Sequence, residues 1–209
     1  MENDDGGMAQ TKTGKARLGE PTLTASDWAE AALQLIAEKG LRALTISALA
    51  ARLGVTKGSF YWHFTGRDDL IAAALARWER SVGDIIRSLD AIPDHRRRLE
   101  LIMDAASQPP RSRSLYAALA EAAEEPVVRK VLQRVASLRI DYLEVCYRGL
   151  GLAASPARAR ALLAYAAYRG LLQLAHEAPG SLPADWASYA ALNRQTFLPT
   201  VSQRRARRD

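Results

Sequence analysis

Between Thr45 and Arg67 the chain gathers side chains suited to holding phosphate oxygens and reading base edges. Thr45 and Thr56 stand where two helices would begin, so each hydroxyl, with the free backbone N–H groups beside it, can hold a phosphate oxygen. Lys57 can neutralise a phosphate or reach a guanine edge, and Gly58 leaves room for close approach by another backbone. Tyr61 and His63 can donate to phosphates, while Trp62 offers a flat apolar surface to a sugar or a thymine methyl. With Ser59, these residues form the outward face of a helix whose inward face carries Val55, Phe60 and Phe64. Bulky aromatics on an outward face ask for a partner surface. Each residue also has a plain structural use: threonines cap helices, a lone histidine is common on surfaces, and Tyr61 and Trp62 can pack on a following helix. Two capped helix starts in succession favour the chemical reading.

Those side chains need helices to aim them. Trp28, Ala31, Ala32, Leu35 and Ile36 repeat at helical spacing behind a cap at Thr24 or Ser26, and Gly40 ends the pattern. Thr45 caps a short second helix with Ile46, Leu49, Ala50 and Leu53 on one face, and Gly54 closes it in the left-handed conformation. Thr56 caps a third helix, with Phe60 and Phe64 four apart on its buried side. A fourth begins in Thr65-Gly66-Arg67-Asp68-Asp69, a hydroxyl three residues before an acid, and runs to about Leu89 ahead of Pro93. Two short helices joined by a glycine turn and flanked by longer ones make a helix-turn-helix, whose second helix enters a major groove about 12 Å wide.

Beyond Pro93 the periodicity predicts helices over 94–107, 112–124, 126–150, 156–178 and 184–198, and no window alternates as a strand would. The fold class expected is all-α: an N-terminal three-helix DNA-binding domain, then a C-terminal helical bundle, about nine helices in all. The expected division is a disordered tail over 1–20, the helix-turn-helix domain over 21–68, a larger helical domain over 69–200, and a basic disordered tail over 201–209.

Charge does not decide the matter. The net charge is +6, but residues 20–90 hold eight basic and nine acidic side chains, whereas residues 91–209 hold eighteen and eleven. The excess therefore lies outside the helix-turn-helix. Cys146 is the only cysteine, which excludes an intramolecular disulfide and suits a reducing compartment. The start of the chain lacks a secretory apolar run, and the apolar stretches 70–76 and 161–167 fall short of the roughly 20 residues of a membrane span. A cytoplasmic protein without membrane contact is expected. His63, His95 and His176 lack metal-ligand spacing, and no phosphate loop, H-E-x-x-H or G-x-S-x-G motif occurs, so no metal, cofactor or enzyme activity is expected.

The segment is similar to the DNA-binding region of the TetR family, in which T-x-x-x-[IL]-A-x-x-x-G precedes V-[ST]-x-[GP]-x-[LF]-Y-x-[HY]-F and an acidic-leucine helix start. The matching residues are Thr45, Leu49, Ala50, Gly54, Val55, Thr56, Gly58, Phe60, Tyr61, His63, Phe64, Asp69 and Leu70, within about 26–75. The resemblance implies a homodimer that binds near-palindromic double-stranded operator DNA and leaves it when a small-molecule effector binds the C-terminal domain. Family members usually place a lysine after the motif phenylalanine; Thr65 stands there instead, and Arg67 is the expected substitute on phosphate. The resemblance also implies that the last two helices pair with their symmetry mates, with Leu162, Ala166, Arg169, Trp186, Tyr189 and Phe197 as interface candidates.

Met103, Tyr116, Leu119, Tyr142, Tyr147 and Tyr165 combine apolar area with polar tips and are the candidates for an effector pocket, although such residues also build ordinary cores. Arg129, Arg134, Arg139, Arg148, Arg158 and Arg160 suit an acidic ligand, but solvated helix faces explain them more simply, and no ligand class follows. An activator or nucleoid-associated protein without an effector is the alternative to a repressor.

Overall fold

Helix caps set the architecture. In the computed structural model, which describes residues 23–109 and 115–199, α1 covers Ala25–Lys39 behind a reciprocal Thr24/Asp27 capping box, with Thr24 N–H donating to Asp27 Oδ2 at 2.7 Å. After one 3₁₀ turn at Leu41–Ala43, α2 runs Ile46–Leu53, its first turn satisfied by Ala48 N–H on the Thr45 hydroxyl at 3.1 Å. α3 is Lys57–Tyr61 and α4 is Arg67–Asp90. The remaining helices are α5 His95–Ala106, α6 Leu115–Glu121, α7 Pro126–Gly149, α8 Ala154–Glu177 and α9 Trp186–Phe197. Among the described residues there are nine α-helices and no strand.

Three local expectations change. The third helix stops at Tyr61, so Phe64 lies beyond it; a turn with His63 and Phe64 N–H groups on Phe60 O brings the Phe64 ring back into the core. Thr56 makes no side-chain cap bond. At the start of α4 the closing acid is Asp69, not Asp68: Thr65 N–H donates to Asp69 Oδ2 at 3.0 Å, while Asp68 is exposed. The expected tails 1–20 and 201–209, and the first residues of the helix expected over 112–124, lie outside the described residues; the described part of that helix ends at Glu121.

Two apolar clusters hold the helices together. One joins α1, α2 and α3 to α4 and continues into α6 and α7 through Tyr116, Leu119, Val128 and Val135. The other lies among α5, α7 and α8, around Leu99, Cys146, Tyr147 and Ala161. α4 belongs to both halves. Its N-terminal part packs Leu70, Ile71 and Ala74 against α1, and Ile86 and Leu89 reach the second cluster. Its end is tied to α5 by Arg98, which donates to Ile92 O at 2.6 Å, Asp90 O at 2.9 Å and Asp90 Oδ1 at 2.8 Å. Carbonyls that a helix C-terminus leaves without partners are satisfied there by one buried guanidinium.

Candidate nucleic-acid interface and ligand cavity

The turn between α2 and α3 is fixed by Gly54. Its φ of 69° and ψ of 25° are left-handed, a conformation that a side chain disfavours, and Gly54 N–H reaches Ala51 O while Val55 N–H reaches Ala50 O at 3.0 Å. This pair of bonds ends α2 and redirects the chain at once, so α3 starts within a few residues. Phe60 then anchors α3. It is fully buried, meets Trp28 of α1 edge-on at 5.4 Å and stacks on Phe64 at 5.3 Å. With one face so held, the other must point outward. Tyr61 is 62% exposed and Trp62 87% exposed; Thr56, Lys57 and Gly58 are exposed, and Ser59 and His63 half-buried. Thr45, exposed at the head of α2, accepts the Ala48 N–H and keeps its own hydroxyl proton to donate.

Arg67 has a different occupation from the one expected. Its Nε donates to Leu44 O at 2.7 Å and its Nη2 to Leu41 O at 3.0 Å. The guanidinium therefore braces the 3₁₀ turn against the head of α4 through these two donors. Arg52, bidentate on Glu38 at 2.6 and 2.7 Å, similarly ties α2 to α1.

The sequence profile of the bacterial regulatory proteins of the tetR family matches residues 29–74, the helices just described. The HTH-type transcriptional regulator SrpR of Pseudomonas putida is 34% identical over 65 residues, 31% of this chain and 28% of SrpR. TtgW, an HTH-type transcriptional regulator also from Pseudomonas putida, is 34% identical over 65 residues, 31% of this chain and 45% of TtgW. Residues 29–74 are thus similar to the tetR-family regulators. The match spans less than half the length of either relative. A transcriptional regulator of Rhodococcus sp. Rha1 shares the fold over 84% of this chain and 96% of its own, with a TM-score of 0.69 at 24% identity.

A cavity of about 290 Å³ opens among α4, α5, α7, α8 and α9. Val82, Ile86 and Leu89 of α4 form one wall and Ile102 and Met103 of α5 another. Arg139 and Tyr142 of α7, Tyr165 and Tyr168 of α8, and Tyr189 and Asn193 of α9 supply the polar groups. Of the expected pocket residues, Met103, Tyr142 and Tyr165 line this space. Tyr116, Leu119 and Tyr147 do not. Tyr116 stands behind the wall, its hydroxyl 2.8 Å from that of Tyr165; Leu119 is fully buried in the first apolar cluster and Tyr147 in the second. Burial pushes the Tyr142 and Tyr165 hydroxyls above the ordinary tyrosine range, Tyr165 with help from its bond to Tyr116, so both stay protonated as donors. Three further residues line the cavity: Tyr168, which the sequence reading does not select, Tyr189, expected at the dimer interface, and Arg139, one of the arginines weighed for an acidic ligand. Spacing offers a signal for two of them, since Tyr168 follows Tyr165 by three residues and Tyr142 follows Arg139 by three, each pair sharing a helix face.

The interface candidates also separate. Leu162 and Ala166 are exposed on α8. Tyr189 lines the cavity, Phe197 packs against the second cluster and Trp186 meets Tyr189 edge-on at 5.7 Å. Arg169 turns inward, its guanidinium 3.6 Å from the Tyr116 ring centroid. Among the described residues no group of three His, Cys, Asp or Glu side chains is placed to hold a metal ion, and no helix is long and apolar enough to cross a membrane. Burial raises the pKa of the Cys146 thiol, which disfavours the reactive thiolate.

Proposed function

We propose that the chain is a ligand-released transcriptional repressor that binds near-palindromic double-stranded operator DNA as a homodimer. One observation carries this reading: Tyr61, and Trp62 just past the helix end, stand exposed with Lys57 on the side of α3 away from Phe60, which locks to the core. A folded domain has little reason to hold two large aromatics and a cation in water unless a partner covers them. Dimerisation is supported by the apolar surface of the last two helices, where Leu162 is 54%, Leu163 64% and Leu192 59% exposed.

α4 links effector to DNA. Its 24 residues span about 36 Å; Leu70 and Ile71 pack beneath the helix-turn-helix, and Ile86 and Leu89 face the cavity. A ligand wedged against Ile86 tilts this rod. In a dimer whose two α3 helices must meet major grooves about 34 Å apart, a small tilt in each subunit spoils the spacing. Gel-shift and footprinting assays on the DNA upstream of the gene test the reading. Protection of a two-fold symmetric site, preferred about a thousandfold over random DNA, is expected. No protected site, or a monomer by light scattering at micromolar concentration, overturns it.

A further inference from the structure

The cavity is apolar over most of its wall, and among the described residues that line it Arg139 alone is charged. Arg139 lines it, with its guanidinium carbon 5.7 Å from the Tyr168 ring centroid and 5.9 Å from that of Tyr116. Arg169 lies on Tyr116 at 3.6 Å, and its Nη1 is buried without a hydrogen-bond partner. No Asp or Glu is among the described residues that line the space. Several other arginines pair with carboxylates: Arg77 with Glu30, Arg98 with Asp90, Arg134 with Glu79, Arg158 with Asp141, Arg194 with Asp104. Among the described residues Arg139 and Arg169 have no such partner. Stacking on tyrosine rings orients a guanidinium and leaves its charge and in-plane donors available.

We propose that the effector is a small amphipathic organic anion, an aromatic or alkyl carboxylate, whose apolar body lies against Val82, Ile86 and Met103 and whose carboxylate is held by Arg139 with the Tyr165 or Tyr168 hydroxyl. The inference rests on the ligand-responsive reading above and deepens it. A planar guanidinium meets a carboxylate through two parallel N–H···O bonds, stronger than neutral ones and strengthened where water is scarce. At about 290 Å³ the space sits at the small end of ligand sites, which favours a compact body over a long acyl chain or a nucleotide.

The test is titration calorimetry of the full-length protein with two matched pairs, 2-naphthoate against 2-naphthamide and octanoate against octanamide. Each amide keeps the body of its acid, removes the charge and exchanges one acceptor oxygen for an NH2 donor. In at least one pair the acid is expected to bind tenfold to a hundredfold more tightly than its amide. Arg139→Met should bring the acid to within about threefold of the amide, and Arg139→Lys should restore part of the preference. Equal binding of acid and amide by the unaltered protein overturns the anion assignment and leaves the effector reading standing. An acid preference that survives Arg139→Met overturns the choice of residue. Failure of every probe to bind overturns both this inference and the effector role of the cavity.

Discussion

Arg67 and Lys57 are ten residues apart, both cationic, and expected to behave in opposite ways on substitution. Arg67→Met removes two hydrogen bonds, to Leu44 O and Leu41 O, and leaves both carbonyls short of a partner. A bond from a charged donor contributes roughly 1.5–3 kcal/mol when buried; with the Arg67 side chain 35% exposed, about 2 kcal/mol for the pair is a fair discount. For a chain of this size that lowers the melting temperature by about 4–8 °C. Lys57 is exposed, so Lys57→Ala should leave melting unchanged within about 0.5 kcal/mol. On DNA the order reverses. If each subunit of a dimer places Lys57 on one phosphate, the variant lacks two ion contacts, and the slope of log affinity against log salt becomes shallower by about 1.8.

Fluorescence anisotropy on a labelled operator, from about 50 to 200 mM salt, reads both slopes. Arg67→Met should weaken binding through a less ordered domain by a factor that is the same at each salt concentration, so its slope stays parallel to that of the unaltered protein. A shallower slope for Arg67→Met at unaltered melting temperature would refute the brace and return Arg67 to the phosphate backbone. Loss of melting temperature in Lys57→Ala would show that its side chain belongs to the fold.

Gly58 separates folding from binding in another way. An added Cβ meets only the Thr56 hydroxyl at 3.6 Å, so Gly58→Ala should stabilise α3 by about 0.5–1 kcal/mol, while DNA affinity falls at least about tenfold if a phosphate backbone passes there. Undiminished affinity sinks the close-approach reading. Gly149 is the opposite case: an added Cβ would run into the His95 ring, so Gly149→Ala should cost about 1–3 kcal/mol in a urea titration, and an unchanged midpoint would mean that the ring swings away freely. Alkaline pH should unfold the chain early. Burial raises Tyr142, Tyr147 and Tyr165 above the ordinary value near 10, Tyr147 to about 12, so the unfolded chain releases these protons first. Stability should hold below about pH 10 and fall as pH climbs toward 12; a flat urea midpoint across that window, or the same decline in Tyr147→Phe, contradicts the assignment.

The helix-turn-helix half was legible because its instructions are local. A hydroxyl at Thr24 or Thr45 and a glycine at Gly40 or Gly54 act within four residues, so helix ends can be read without knowing what packs on them. The misreadings arise where a longer reach decides. Phe64 keeps helical spacing from Phe60, yet the helix between them ends, and a short turn delivers the same ring to the same core. The sequence neighbours of Arg67 point to phosphate, while its partners Leu41 and Leu44 lie more than twenty residues back.

The cavity was only half legible because composition does not tell which way a tyrosine faces. Tyr142 and Tyr147 are five residues apart on α7, about 140° around the helix, so one enters the cavity and the other the core behind it. Which of the two faces is hollow depends on α4, α5 and α9 together, and no single window contains them. The boundary expected between residues 68 and 69 meets the same limit. It falls at the head of α4, but the apolar cluster beneath the helix-turn-helix runs on into α6 and α7, where Trp78 meets Tyr116 edge-on at 5.6 Å. Tyr116 in turn carries Arg169 on its ring and bonds Tyr165 at the cavity wall. The packing under the helix-turn-helix is therefore continuous with the wall that would feel a ligand, and a change there need not travel along α4 alone.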